Sequence, residues 1–166
     1  MKINISNLSE GLHEYQFEET PSSIELDDRF SKPVIVNVEL EKRRRQLFLT
    51  GHVRTSGKFV CDRCLDDFER DIAVDYRMTY VNDVSEAGEI DPDELTVMHA
   101  STNEIDIAED IKEYISLAVP MKLLCKDDCA GLCATCGANL NHGVCDCPRE
   151  ESDPRWDKLK KIMNKN

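Results

Sequence analysis

Long apolar runs are missing from this sequence: no stretch of strictly apolar residues exceeds three, whereas a helix that crosses a bilayer needs ~20. A soluble protein is expected. The opening MKINISNLSE has no apolar region behind a basic one, so no secretory signal is readable and a cytoplasmic location is the expectation. Aromatic residues are scarce at 6%, with a single Trp, and no aromatic cluster falls on one strand face to stack single-stranded bases. A Gly-rich phosphate loop is absent, and no Ser, His and Asp set can be assembled, which leaves no catalytic residues to name. Positive charge is also short. The 21 basic and 33 acidic residues give a net charge of −12, which argues against a general polyanion-coating protein.

The deficit is local. Residues 1–81 carry 12 basic and 15 acidic side chains, residues 82–113 carry 1 and 11, and residues 114–166 carry 8 and 7. The middle stretch supplies −10 of the −12, while each flank is near neutral and can present a basic surface.

Against these absences stand eight cysteines, spaced as Cys61-x2-Cys64 and Cys125-x3-Cys129-x3-Cys133-x2-Cys136-x8-Cys145-x-Cys147. In a reducing compartment structural disulfides do not persist, and this clustering is the kind metal sites use. A Cys-x2-Cys knuckle offers two thiolates from one tight turn at a Zn–S distance of ~2.3 Å. Two knuckles with four further cysteines match two sites of four. Gly137, directly after Cys136, can take the positive φ that turns backbone N–H groups toward sulfur. The pairing stays open. The compact arrangement groups Cys133, Cys136, Cys145 and Cys147 as a zinc-ribbon-like module and leaves Cys61, Cys64, Cys125 and Cys129 as a second site. The competing scheme is a single zinc held by the two knuckles. A site saturated by four thiolates keeps no open position for catalysis, so the expected cofactor is structural Zn2+, one or two ions.

Two rival chemistries come from the same residues. A thiol–disulfide oxidoreductase would use Cys-x2-Cys as a dithiol, but CDRC lies between strands among Asp62, Asp66 and Asp67, which raise thiol pKa values, rather than at a helix N-terminus. A zinc-ribbon adaptor would bind a protein partner. Of the histidines, only His142 sits among the cysteines as a substitute ligand; His13, His52 and His99 are scattered surface residues.

The pattern of apolar residues predicts an α+β fold: an antiparallel β meander, one packed helix and a C-terminal cysteine-rich zinc-binding module. Val34, Val36, Val38 and Leu40 alternate with polar neighbours, as do Leu47, Leu49 and Val53, with EKRRR as a charged hairpin tip between them. Ile72, Val74, Tyr76, Met78 and Tyr80 mark a long strand, and Gly57–Cys61 a short one. That places Cys61 and Cys64 on the turn joining these two. KINISNL and HEYQFEE are expected at the meander's edges. Residues 82–104 are read as an acidic loop, most clearly over 82–94, where Gly88 and the Asp91-Pro92 pair fall. Asp106 and Glu109 suggest a capping box for a helix with Ala108, Ile111, Ile115 and Ala118 on one face, stopped by Pro120. Asp153 and Pro154 open a short terminal helix in which Trp156, Leu159 and Met163 share a face. Two domains result: 1–120, with the first knuckle and the acidic loop, and 121–166, the cysteine-rich module and basic terminal helix packed on the first.

CDRCLDDF after a meander, a helix ending in LAVPMKLLC, then DCAGLCATCGANLN, CDC and DPRWDKL, together resemble the YceD-like family of large ribosomal RNA subunit accumulation proteins over about residues 34–160. The chain is similar to the form of that family with the full C-terminal cysteine cluster; other members keep only the first knuckle. The resemblance implies a non-enzymatic role in the synthesis, processing or stability of large-subunit (23S) ribosomal RNA. It implies Cys61 and Cys64 as motif residues, and the other six cysteines less directly. The expected partner is large-subunit ribosomal RNA or a pre-ribosomal particle, or a basic ribosomal protein drawn to the acidic stretch, with no membrane and no small-molecule substrate. Contact candidates for RNA are Arg43, Arg44 and Arg45 at the hairpin tip and Lys158, Lys160 and Lys161 of the terminal helix.

Overall fold

The structure, a computed structural model, describes residues 1–86, 88–148 and 162. It divides into two compact units, Met1–Asp62 with Asp66–Cys125, and Arg63–Leu65 with Lys126–Asn166. The first is α+β, mostly sheet with one helix. The strands are β1 (Lys2–Asn4), β2 (Gly11–Glu19), β3 (Val34–Arg43), β4 (Gln46–Val60), β5 (Asp67–Val81), β6 (Leu95–Val97) and β7 (Glu104–Asp106), followed by helix α1 (Ala108–Ala118).

Five strands form one sheet in the order β2-β3-β4-β5-β6, and β1 pairs with β7 in a separate two-stranded ribbon. The alternation read in the sequence sets the sheet's faces. Val34, Val36, Val38 and Leu40 of β3 and Leu47, Leu49 and Val53 of β4 are buried, while Ile35, Asn37 and Glu39 face outward. Register follows from this period of two, because a slip by one residue would turn the whole set out of the core. Helix α1 closes the inner face with Ile111 and Ile115, both fully buried.

Four features differ from the sequence expectation. Gly57–Cys61 is not a separate short strand, since β4 runs unbroken for 15 residues and pairs with β5 from Leu47↔Tyr80 to Val60↔Asp67. Its glycines are sites of ring packing: a Cβ at Gly57 would lie 2.9 Å from the Phe59 ring, and Gly51 faces Tyr76. The sheet is not wholly antiparallel, because β6 pairs parallel to β5 after the chain crosses back through residues 82–94. The segment 82–104 thus holds a strand and the 3-10 turns Val84–Glu86 and Pro92–Glu94, the latter capped by Asp91 Oδ1, which accepts the Asp93 N–H at 3.1 Å. β1 is no meander edge, since its one buried side chain, Ile3, pairs with Ile105 more than a hundred residues away. Finally, Ile107 holds the N-cap position of α1, and Asp106 acts from one residue further out, its Oδ1 accepting the Ala108 N–H at 3.1 Å.

Among the described residues no helix is long and apolar enough to cross a membrane. The terminal helix expected from Pro154 lies outside the described residues, apart from Ile162, which is helical and exposed.

Candidate metal centres

The first centre begins on the connection between β4 and β5. Cys61 follows the last residue of β4, its N–H donates to the Asp66 carbonyl at 2.9 Å, and Leu65 takes a φ of 62° to close the turn. Asp62 is tied to the segment after α1: its N–H donates to the Leu123 carbonyl at 2.8 Å, and the Leu123 N–H donates to Asp62 Oδ2 at 2.6 Å. Cys125 comes two residues later. In the second unit Arg63 Nη1 donates to the Cys129 carbonyl at 2.9 Å, and the Arg63 carbonyl accepts the Leu132 N–H at 3.1 Å. The Sγ atoms of Cys61, Cys64, Cys125 and Cys129 all lie within 4.8 Å of one another. Three of the four are buried and Cys125 is half-buried.

The second centre is a short local structure. The Cys133 N–H donates to the Ala138 carbonyl at 2.8 Å and the Gly137 N–H to the Cys133 carbonyl at 2.9 Å, with Gly137 at φ 73°. Leu132 and Asn139 form an antiparallel bridge that closes the loop. The Sγ atoms of Cys133, Cys136, Cys145 and Cys147 again lie within 4.8 Å of one another, but here Cys136 is exposed and the others half-buried. The two groups have the membership of the compact arrangement, and the two knuckles stand in different groups. His142 is in neither.

Each set fits a thiophilic cation. A tetrahedron of thiolates at a Zn–S distance of ~2.3 Å has S···S edges of ~3.8 Å, inside the spread observed here. Electrostatics point the same way in the second group. Backbone N–H groups of Cys136 and Thr135 aim at the Cys133 sulfur and, with the Cys145 side chain, pull its pKa down to about 6. A hydrogen bond with Cys136 pushes the Cys147 thiol up to about 12, with burial and the Cys136 charge adding to the shift. Four thiols this close cannot all ionise unless a cation relieves their repulsion. Two clusters that can each hold a metal ion are therefore present.

The expected RNA contacts are placed differently. Arg44, at φ 52°, and Arg45 form the tip between β3 and β4. Arg43 is engaged locally: its Nε donates to Glu41 Oε1 at 2.7 Å and its guanidinium lies 5.6 Å from the Phe48 ring centroid. Lys158, Lys160 and Lys161 lie outside the described residues.

Sequence reasoning passed over Arg63, Gly131 and Asn141. Gly131 has φ 75°, a conformation that favours glycine, and a Cβ there would come a tight 3.1 Å from the Arg63 carbonyl. The Asn141 side chain bonds Ala130, Asn139 and Cys129. Only the asparagines of GANLN hinted at this, and their partners are set by the fold.

Fold and sites together define a small α+β protein with two four-cysteine clusters of metal-binding geometry. The model of one family, described as "Large ribosomal RNA subunit accumulation protein YceD", matches residues 49–163, and the chain belongs to that family. It is 30% identical over 152 residues to the "Large ribosomal RNA subunit accumulation protein YCED homolog 1, chloroplastic" of Arabidopsis thaliana, covering 76% of this chain and 47% of that protein. The Zea mays protein of the same name is 30% identical over 135 residues, covering 66% and 46%. An uncharacterized protein of Mycobacterium leprae is 26% identical over 135 residues, covering 79% and 59%. The chain thus spans about half the length of its plant relatives. No solved structure matches it.

Proposed function

We infer that this chain is a non-catalytic, zinc-stapled scaffold that acts in the accumulation of large-subunit ribosomal RNA by binding a pre-ribosomal particle. The observation that carries the reading is the pair of four-thiolate clusters, in a chain of the YceD family. Four thiolates saturate a tetrahedral ion, leaving no position for an activated water, so the metal's contribution is folding free energy. The relatives' name supplies the rRNA connection.

Attraction to RNA then falls to basic residues away from the clusters. Deprotonating eight thiols and adding two dications takes the formal charge from −12 to −16, so the metal regions themselves repel phosphate. Arg44 and Arg45 at the hairpin tip, with Arg43 at the adjoining end of β3, supply basic charge, and the lysines after residue 154 add nonspecific attraction. The acidic residues of 82–113 suit a basic ribosomal protein on the same particle.

Gradient sedimentation of the tagged protein tests this reading. Co-migration with large-subunit precursors that weakens at high salt is the expected result. Changing Arg43, Arg44 and Arg45 together to Glu is expected to shift most of the protein to the top of the gradient. Association that survives this change would remove the hairpin tip from the contact surface, and absence of any association in the parent protein would sink the reading.

A further inference from the structure

Asn141 lies between the ligand pairs of the second cluster, five residues after Cys136 and four before Cys145, yet its side chain reaches a ligand of the first. Its Nδ2 donates to Cys129 Sγ at 3.3 Å and to Asn139 Oδ1 at 2.9 Å, and its Oδ1 accepts the Ala130 N–H at 2.9 Å. The same Asn139 oxygen accepts the Asn141 backbone N–H at 3.0 Å. These bonds fix which end of the amide faces sulfur. Turned over, the amide would set its oxygen against a thiolate and its NH2 against the Ala130 N–H, a mismatch at both ends. A donor held against a metal-ligating thiolate orients the sulfur and offsets its charge, and losing such a contact typically costs 10–100-fold in metal affinity.

The loop that carries Asn141 is itself held by the second cluster's framework. The Leu140 N–H donates to the Gly131 carbonyl at 2.8 Å, the His142 N–H to the Asn139 carbonyl at 3.2 Å, and the Leu132–Asn139 bridge joins the loop to the segment that enters Cys133. Among the described residues of 126–148 Cys129 is the one buried hydrophobic side chain, so under the zinc proposal the order of this segment comes from the four thiolates at Cys133, Cys136, Cys145 and Cys147.

We propose that Asn141 is a positioning residue that couples the two metal sites: closure of the second cluster fixes the 137–144 loop and so presents the Asn141 amide to Cys129. This rests on the zinc reading above. Linkage makes the coupling reciprocal, so each filled site tightens the other.

The test follows zinc release into a chromogenic chelator from the purified full chain. Its two phases are assigned with Cys145→Ser, which opens the second cluster. Asn141→Asp replaces a donor by an oxygen of the same shape, and Asn141→Ser removes the amide without adding charge, which guards against misfolding of the first variant. Both are expected to speed release from the Cys61, Cys64, Cys125 and Cys129 site by about 10–100-fold. Cys145→Ser is expected to speed release from that same first site, and to add little once Asn141 has been changed, as in a double-mutant cycle between coupled positions. Unchanged first-site release in both Asn141 variants, or additive effects of the two changes, would overturn the coupling alone. Fewer than two zinc ions on the unaltered chain would overturn the two-site reading beneath it.

Discussion

At the scale of single residues, the tightest demand of the fold is at Gly51. It faces Tyr76 across the β4–β5 ladder, and a Cβ there would sit 1.9 Å from Tyr76 Cε1. The ring cannot swing away, because Tyr76 is buried and packs at 5.1 Å on Tyr114 of α1. Gly51→Ala is therefore expected to destabilise the protein by about 1–3 kcal/mol, the usual range for overpacking, read as a lower denaturant midpoint at an unchanged slope. An unaltered midpoint would show that the ring has room to move. The sequence pattern does not single out Gly51. Its role comes from a tyrosine on another strand, and Asn141 is similar in that its partners emerge only when the loop folds back. The cysteines were legible for the opposite reason: knuckle spacing is local chemistry, readable without the fold.

At the scale of elements, β3, β4 and β5 were legible because each buries one face and so writes a period of two into the chain. β6 and β7 were not, since strands of three residues hold too few alternations, and β1 was read as a strand but given the wrong place because its pairing with β7 is nonlocal. Helix α1 was legible through its apolar stripe, but its polar side carries an electrostatic cost the stripe does not reveal. Burial raises the pKa of Asp110, and Glu113 and Glu109 on the same helix add repulsion, partly offset by the nearby Tyr80 hydroxyl. A carboxyl raised in the folded state gives stability that is complete below its unfolded pKa and lost as the pH rises through the folded one. Asp110→Asn should then be more stable than the parent at neutral pH, with the gap closing below the ordinary carboxylate range. Denaturation curves at neutral and at strongly acidic pH check this; a variant weaker than the parent at neutral pH would assign Asp110 a net stabilising bond.

At the scale of the whole molecule, the two units depend on different forces. The sheet unit has an apolar core running from Ile3 to Ile115. Among the described residues of 126–148, by contrast, Cys129 is the one buried hydrophobic side chain. Burial of apolar surface can hold the first unit; under the zinc proposal, the described part of the second is held by its thiolates joined through metal. Metal removal by a chelator under reducing conditions is expected to abolish amide protection over 126–147 while protection in β3, β4 and β5 persists. Retained protection in the cysteine-rich segment would mean that its hydrogen bonds suffice without metal.

The central claim is that eight thiolates close two structural sites, and metal content per chain tests it most directly. Elemental analysis of protein purified without added zinc, with a native thiol count on the same sample, is predicted to give two zinc ions per chain and few reactive thiols. One ion with several reactive thiols, or no metal and a reversible disulfide, would contradict the account.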